Sequence, residues 1–138
     1  MSLFNIFNVS GSGMTAQSVR LNTTASNIAN ADSVSSSVDK TYKARHPVFE
    51  AELAKASQQQ QVSRGVNVKG IVESDKPLQK EYNPDHPMAD ADGFIYKPNV
   101  NVMEEMADMI SASRSYQMNA QVAEAAKSML MQTLRMGK

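Results

Sequence analysis

The chain contains no cysteine. It therefore has no disulfide, no thiolate metal site and no thiol nucleophile, and that absence fits any compartment. Aromatic residues are scarce, four Phe and four Tyr making 6% of the 138 residues. A compact core built on so few rings is thin. Neither sign of charge is in excess, with fourteen Lys plus Arg against fourteen Asp plus Glu. Such a balance offers no field to steer nucleic acid or an anionic membrane, and does little to prevent self-association. No apolar run approaches the roughly 20 residues needed to span a bilayer. "MSLFNIFNVSGSG" lacks both a basic n-region and a continuous apolar h-region, so no secretory signal peptide is expected. By these signals alone the chain reads as soluble and cytoplasmic. No glycine-rich phosphate loop is present either.

What the chain does have is ten methionines and a helical rhythm at each end. Methionine adapts to irregular contacts, so its excess points to packing between helices or chains. Phe4, Phe7, Gly11, Met14, Ser18, Leu21, Ala25 and Ile28 step alternately by three and four, which is a heptad seam. Gly11 and Gly13 weaken a helix through them, so a well-formed helix is expected from near Ser12 to about Ala31. The last third keeps the same rhythm through Val102, Met106, Met109, Ser113, Tyr116, Ala120, Ala123, Lys127, Leu130 and Leu134. Asn101 with Glu104 gives a capping-box-like start, and Gly137 is a candidate C′ residue. A helix of about 35 residues is about 50 Å long. Its apolar stripe needs the N-terminal helix, other chains, or both.

The middle is more irregular. "DSVSSSVD" and the Gln58–Gln61 tract read as loops. Pro47, Val48, Phe49 and Leu53 suggest a strand or short helix. Val66, Val68, Ile71 and Val72 suggest a strand with a bulge near Gly70, and residues 78–82 a further extended piece. Asp92-Gly93 before Phe94-Ile95-Tyr96 suggests a small hairpin. The expected fold class is mainly α, the two terminal helices forming a coiled-coil-like pair around a small irregular β and loop segment. The expected divisions are 1–31, 32–98 and 99–138.

The polar motifs favour structural over chemical readings. Asp85, His86, Asp90 and Asp92 crowd one turn, but aligning Asp90, Asp92 and Gly93 on a calcium loop puts Met88 and Asn99 at its first and twelfth positions. The turn is better read as proline-pinned with solvated carboxylates. His46 and His86 each precede a proline and have no triad partner beside them. The methionines of the last third follow helical spacing, which favours packing over a soft-metal site. Two glycosylation-like triplets, at Asn8 and Asn22, fall in or beside expected helix. Lys127 is the one charge on its seam; its stem packs while its ammonium reaches solvent, or it pairs across a subunit contact. No catalytic residue, cofactor or metal is expected.

"SGMTAQSVRLNTTASNIANADS" resembles the N-terminal signature of the bacterial flagellar axial proteins, the rod, hook and hook-associated subunits. "NPDHPMADADGFIYKPNVNVMEEMADMISASRSYQMN" and "AKSMLMQTLRMGK" resemble the short proximal-rod class of that family. The resemblance runs the length of the chain. It implies a subunit exported through the flagellum's own secretion apparatus without a cleaved signal. It also implies polymerisation into the hollow, periplasm-spanning rod, with terminal helices in the inner tube around an export channel. Partners would be neighbouring rod proteins, copies of the chain itself, the inner-membrane ring at the rod base, and the export apparatus. No nucleic acid or small-molecule substrate is implied. The alternative from a different class is a small cytoplasmic coiled-coil adaptor. The residues expected at subunit contacts are Met14, Leu21, Asn22, Ala25, Asn27, Ile28 and Asn30 on the first helix, and Met106, Met109, Tyr116, Ala123, Leu130 and Leu134 on the second. The asparagines are the less obvious members, because amides are mediocre helix formers and are better spent as contacts.

Overall fold

The computed structural model describes residues 3–53 and 63–137. The Gln58–Gln61 tract lies outside the described residues. Helix α1 spans Leu3–Ala29 and helix α2 spans Val102–Met136. Between them run strands β1, Arg45–Leu53, β2, Ser63–Glu73, β3, Gln79–Tyr82, and β4, Phe94–Lys97. The helices cover a little under half of the chain, so "mainly α" is too strong. The small β segment expected in the middle is two antiparallel two-stranded ribbons.

Helix α1 starts earlier than expected and passes unbroken through both glycines. A helix-interior glycine costs about 1 kcal/mol relative to alanine, an amount that packing readily outweighs. At Gly13 the reason is visible: a Cβ there would fall 2.8 Å from Nδ2 of Asn119 on α2. Small size lets the second helix's amide cross close to the first helix's backbone. At the other end the helix gives way to turns, with the Asn30 side chain donating to the Ser26 carbonyl at 2.8 Å. Helix α2 begins as expected at Asn101, whose side chain accepts from the Met103 N–H at 3.1 Å. Glu104 instead approaches Lys76 at 3.8 Å. Gly137 follows the helix, though with an ordinary negative φ of −94°.

The helices pair antiparallel, since Gly13 meets Asn119, Arg20 meets Asp108 and Asn27 meets Glu105. At about 1.5 Å per residue α2 outreaches α1 by about 12 Å. The face of α2 turned inward carries buried Glu105, Ala112 and Ala126. The line of full burial on α2 is therefore displaced from the expected seam, of which Met109, Ser113, Ala120, Ala123 and Leu130 are half-buried and Val102, Met106, Tyr116, Lys127 and Leu134 exposed. The line of contact passes through Ala126, and Lys127 beside it is exposed. On α1 the fully buried positions among the described side chains are Ser10, Ala16, Thr23, Thr24 and Asn27, while of the expected seam Phe7, Gly11, Met14, Leu21 and Ile28 are half-buried and Ser18 and Ala25 exposed. The pair is close because its shared face is small.

Ribbon β1–β2 lies along α1. Its register slips between Val48 and Phe49, where Lys69 is left unpaired beside Gly70, so the expected bulge falls within a residue of its place. The ribbon is pinned at both ends. The Arg45 N–H donates to Oδ1 of Asn27 at 2.9 Å, and the Val66 N–H donates to Oγ of Ser12 at 3.1 Å. Fifteen helical residues rise about 22 Å, and the intervening strand spans a similar length, so the two pins are commensurate. Gly65 makes the second pin possible. Its φ is +124°, and a Cβ there would collide with the Ser12 hydroxyl. Ribbon β3–β4 pairs Gln79 to Tyr82 with Lys97 to Phe94, and Ser35 exchanges both backbone hydrogen bonds with Tyr96 at 3.0 Å.

The core is unusual in content. Its buried apolar side chains among the described residues are Ala16, Ala44, Ile95, Ala112 and Ala126, with Pro98 also enclosed. Buried polar residues are as prominent: Ser10, Thr23, Thr24, Asn27, Ser35, Thr41 and Glu105.

Candidate assembly interface

The polar interior centres on Asn27, which has 0% exposure. An asparagine amide offers two N–H donors and an oxygen with two lone pairs. All four are used. Nδ2 donates to the Arg45 carbonyl at 2.8 Å and to Oε1 of Glu105 at 3.0 Å. Oδ1 accepts from the Tyr42 hydroxyl at 2.8 Å and from the Arg45 N–H at 2.9 Å. One side chain thus ties α1, the loop entering β1, and α2. Glu105 is 4% exposed and its other carboxylate oxygen, Oε2, has no partner. Tyr42 is held further by Ser26, 3.2 Å away, and by the Arg45 guanidinium 5.5 Å above its ring.

A second amide repeats the device at the far end of the middle region. Oδ1 of Asn99 accepts from the Ala44 N–H at 2.8 Å, while its Nδ2 donates to the Lys76 carbonyl at 2.7 Å. A third pin is the Arg20–Asp108 ion pair at 2.6 Å. Gly13, Arg20 and Asn27 stand seven residues apart on α1, so the helix presents one contact to α2 every two turns.

The acidic turn is self-contained. Oδ1 of Asp90 accepts from the N–H groups of Asp92 and Phe94 at 3.0 and 2.9 Å, and Oδ2 from the Tyr96 hydroxyl at 3.3 Å. The Phe94 bond foremost holds this carboxyl below its usual range; slight burial opposes it, and Asp92, Tyr96 and Lys80 add to it. Among the described residues no group of three or more His, Asp or Glu is placed to hold a metal.

The surface is where the apolar residues went. Val102, Met103, Met106 and Ile110 are exposed near the start of α2; Met118, Val122, Met129, Met131, Leu134 and Met136 are exposed farther on. Met118, Val122, Ala125, Met129 and Met136 share one side of the helix, at three-and-four spacing. So wide an exposed apolar side is a signature of interaction surfaces.

The residues expected at subunit contacts divide accordingly. Met106, Tyr116 and Leu134 are exposed on α2, with Asn22 and Ala25 exposed on α1. Met14, Leu21, Ile28, Asn30, Met109, Ala123 and Leu130 are half-buried. Asn27 is enclosed by its own chain. All of its side-chain hydrogen bonds are made within the chain, to Arg45, Tyr42 and Glu105. Sequence reasoning passed over Arg20, Tyr42, Asn99 and Glu105. The seven-residue spacing of Gly13, Arg20 and Asn27 was the available signal for the first. Glu105, an acid on the helix face flanked by Ala112 one heptad on, was visible only once the true face was known.

Comparison with known proteins matches both ends of the chain. The family model described as "Flagella basal body rod protein" matches residues 7–35. That described as "Flagellar basal body rod FlgEFG protein C-terminal" matches residues 91–136. These spans take in most of α1 and all of α2, the partners of the Asn27–Glu105 bond. The flagellar basal-body rod protein FlgC of Salmonella typhimurium is 45% identical over 138 residues, covering all of both chains. FlgC of Yersinia enterocolitica is likewise 45% identical over the whole of both chains. FlgC of Buchnera aphidicola subsp. Baizongia pistaciae is 36% identical over 140 residues, again end to end.

Proposed function

We propose, from the premise that this chain belongs to the FlgC family of flagellar basal-body rod proteins, that its outward helix faces are the contacts by which it builds the rod. The chain is a structural subunit of that rod. In this reading α1 and α2 line the wall of a hollow shaft in its proximal part, and the ribbons face outward. The shaft carries torque and encloses an export channel. The subunit reaches it through the flagellar export apparatus and spans the periplasm with its neighbours. Those neighbours are other rod proteins, further copies, and the inner-membrane ring at the base. Catalysis and cofactors have no part in it.

The observation that carries the reading is the uncovered apolar side of α2, Met118, Val122 and Met129 above all. A side chain half out of water gains about 1 kcal/mol when a neighbour covers it. Repeated along about 50 Å of helix, that gain is ample for assembly. An uncovered stripe and an unlike surface elsewhere on the same chain make a heterologous contact, which propagates instead of closing. The small, polar interior supports the same reading, because a chain whose largest buried apolar residues, among the described ones, are Ile95 and Pro98 draws much of its stability from neighbours.

Val122→Asp tests it. The residue is 49% exposed, so the isolated chain should keep its helix content and unfolding midpoint. Basal bodies purified from cells carrying only this variant should lack the chain, and the cells should not swim. Normal swimming would overturn the assignment of this face.

A further inference from the structure

Seven of the ten methionines lie on α2, and six of those seven are exposed. Met103, Met118 and Met136 are 75%, 64% and 78% exposed, and Met106, Met129 and Met131 are each 49% exposed. Leucine would fill an apolar stripe as well and would be chemically inert. Methionine sulfur is not inert. A thioether free of covering atoms is open to two-electron oxidation, and the product is polar where the stripe must be apolar. Met14 and Met109, half-buried against their own chain, are internal controls.

We propose that the outward methionines of α2 form an oxidative modification site that gates incorporation of the subunit. The deepened reading rests on the assignment of this face to subunit contact. The co-reactant is a hydroperoxide. The thioether sulfur attacks one peroxide oxygen, the O–O bond breaks, and an S–O bond forms. Sulfur loses two electrons to become the sulfoxide; hydrogen peroxide, gaining them, leaves as water. The sulfoxide oxygen is a strong hydrogen-bond acceptor and finds no donor on a neighbouring apolar face, so burying it leaves it unsatisfied. The unassembled chain is sensitive, and the assembled chain is shielded by the contact it has made.

The test begins with the purified full chain, graded hydrogen peroxide and peptide mass spectrometry. Sulfoxide should appear first at Met103, Met118 and Met136, and last at Met14 and Met109. Equal oxidation of all five would overturn the site. In cells, peroxide is pulsed either during synthesis of the subunit or after rods are complete, and the chain is then counted in purified basal bodies. The early pulse should remove most of the wild-type chain and the late pulse none. A variant with leucine at all six exposed methionines of α2, Met103, Met106, Met118, Met129, Met131 and Met136, should resist the early pulse. If that variant assembles but is lost as fully as wild type, oxidation acts elsewhere and the inference fails while the rod reading stands. Should the six-leucine variant not assemble, Met118→Gln, a neutral mimic of the sulfoxide's polarity, must by itself reduce incorporation with helix content intact; normal incorporation of Met118→Gln would then refute the proposal. Absence of the unoxidised wild-type chain from basal bodies would instead defeat the rod reading itself.

Discussion

Asn27→Ala should cost far more than a single surface amide. The substitution removes both donors and both acceptor bonds at once. The consequences differ by partner. The Tyr42 hydroxyl is half-buried and keeps Ser26 within 3.2 Å, so it loses little. The Arg45 N–H and carbonyl, at the mouth of the ribbon, lose their shared anchor. Glu105 loses most, because Oε2 already has no partner and Oε1 would join it. Leaving a buried polar group unpaired costs about 1–3 kcal/mol, more when it is charged. Two such groups give about 3–5 kcal/mol, and water entering the vacated space returns part, leaving about 3 kcal/mol. With a urea m-value of about 1–3 kcal/mol per molar, the unfolding midpoint should fall by about 1–3 M. Circular dichroism of the full chain in urea measures this. Glu105→Ala should couple to Asn27→Ala by about 0.5–3 kcal/mol in a double-mutant cycle. Asn27→Leu combined with Glu105→Leu should be less damaged than Asn27→Leu alone, since it removes the carboxyl group that the single change leaves buried without a partner. Strictly additive single substitutions, or a midpoint unmoved by Asn27→Ala, would refute the claim that this junction holds the helix pair.

Two smaller predictions follow from the backbone and the turn. Gly65→Ala should destabilise by about 2 kcal/mol, because φ is strained for a side chain and the new Cβ displaces Ser12 from Val66; thermal unfolding measures it, and an unchanged Tm would show the second pin to be idle. Asp90, whose carboxyl is held below its ordinary value of 3.8 mainly by the Phe94 N–H, stabilises the turn fully above that ordinary value. This contribution is lost as pH falls through the depressed folded value, since a protonated carboxyl accepts those N–H bonds poorly. The amide resonances of Asp92 and Phe94 should move together in that acid range and lie still above it, and Asp90→Asn should abolish the movement.

The elements were legible in the chain because local signals agreed. The Asn101 cap, the bulge beside Gly70 and the turn before Phe94 each rest on chemistry confined to a few residues, which a single sequence displays. Helix α2 was legible for the same reason, its rhythm being unbroken, whereas the first turns of α1 were hidden by Gly11 and Gly13. What was not legible was which side of each helix faces inward. Periodicity finds the apolar stripe but leaves open whether the chain's own helix or a neighbour covers it. Here Ala112 and Ala126, not Met106 and Tyr116, turn toward α1.

The displacement has a physical cause. Two helices approach closely only where side chains are small, and close approach lets short polar groups such as Asn27 and Glu105 reach one another across the gap. Had the large apolar residues faced inward, the gap would have widened and the pins could not form. The same sequence must also present something to a neighbour, and only large apolar side chains gain enough on being covered. Intrachain and interchain contacts thus compete for the helix surface, and they divide it by residue size. Lys127 illustrates the division. It is an anomaly on an inward seam, but it is ordinary once the contact line runs through Ala126 and leaves it in solvent. For a subunit of an assembly, then, the most apolar helix face is evidence about the neighbour, and the face dotted with Gly, Ala and Asn at seven-residue intervals is evidence about the chain's own fold.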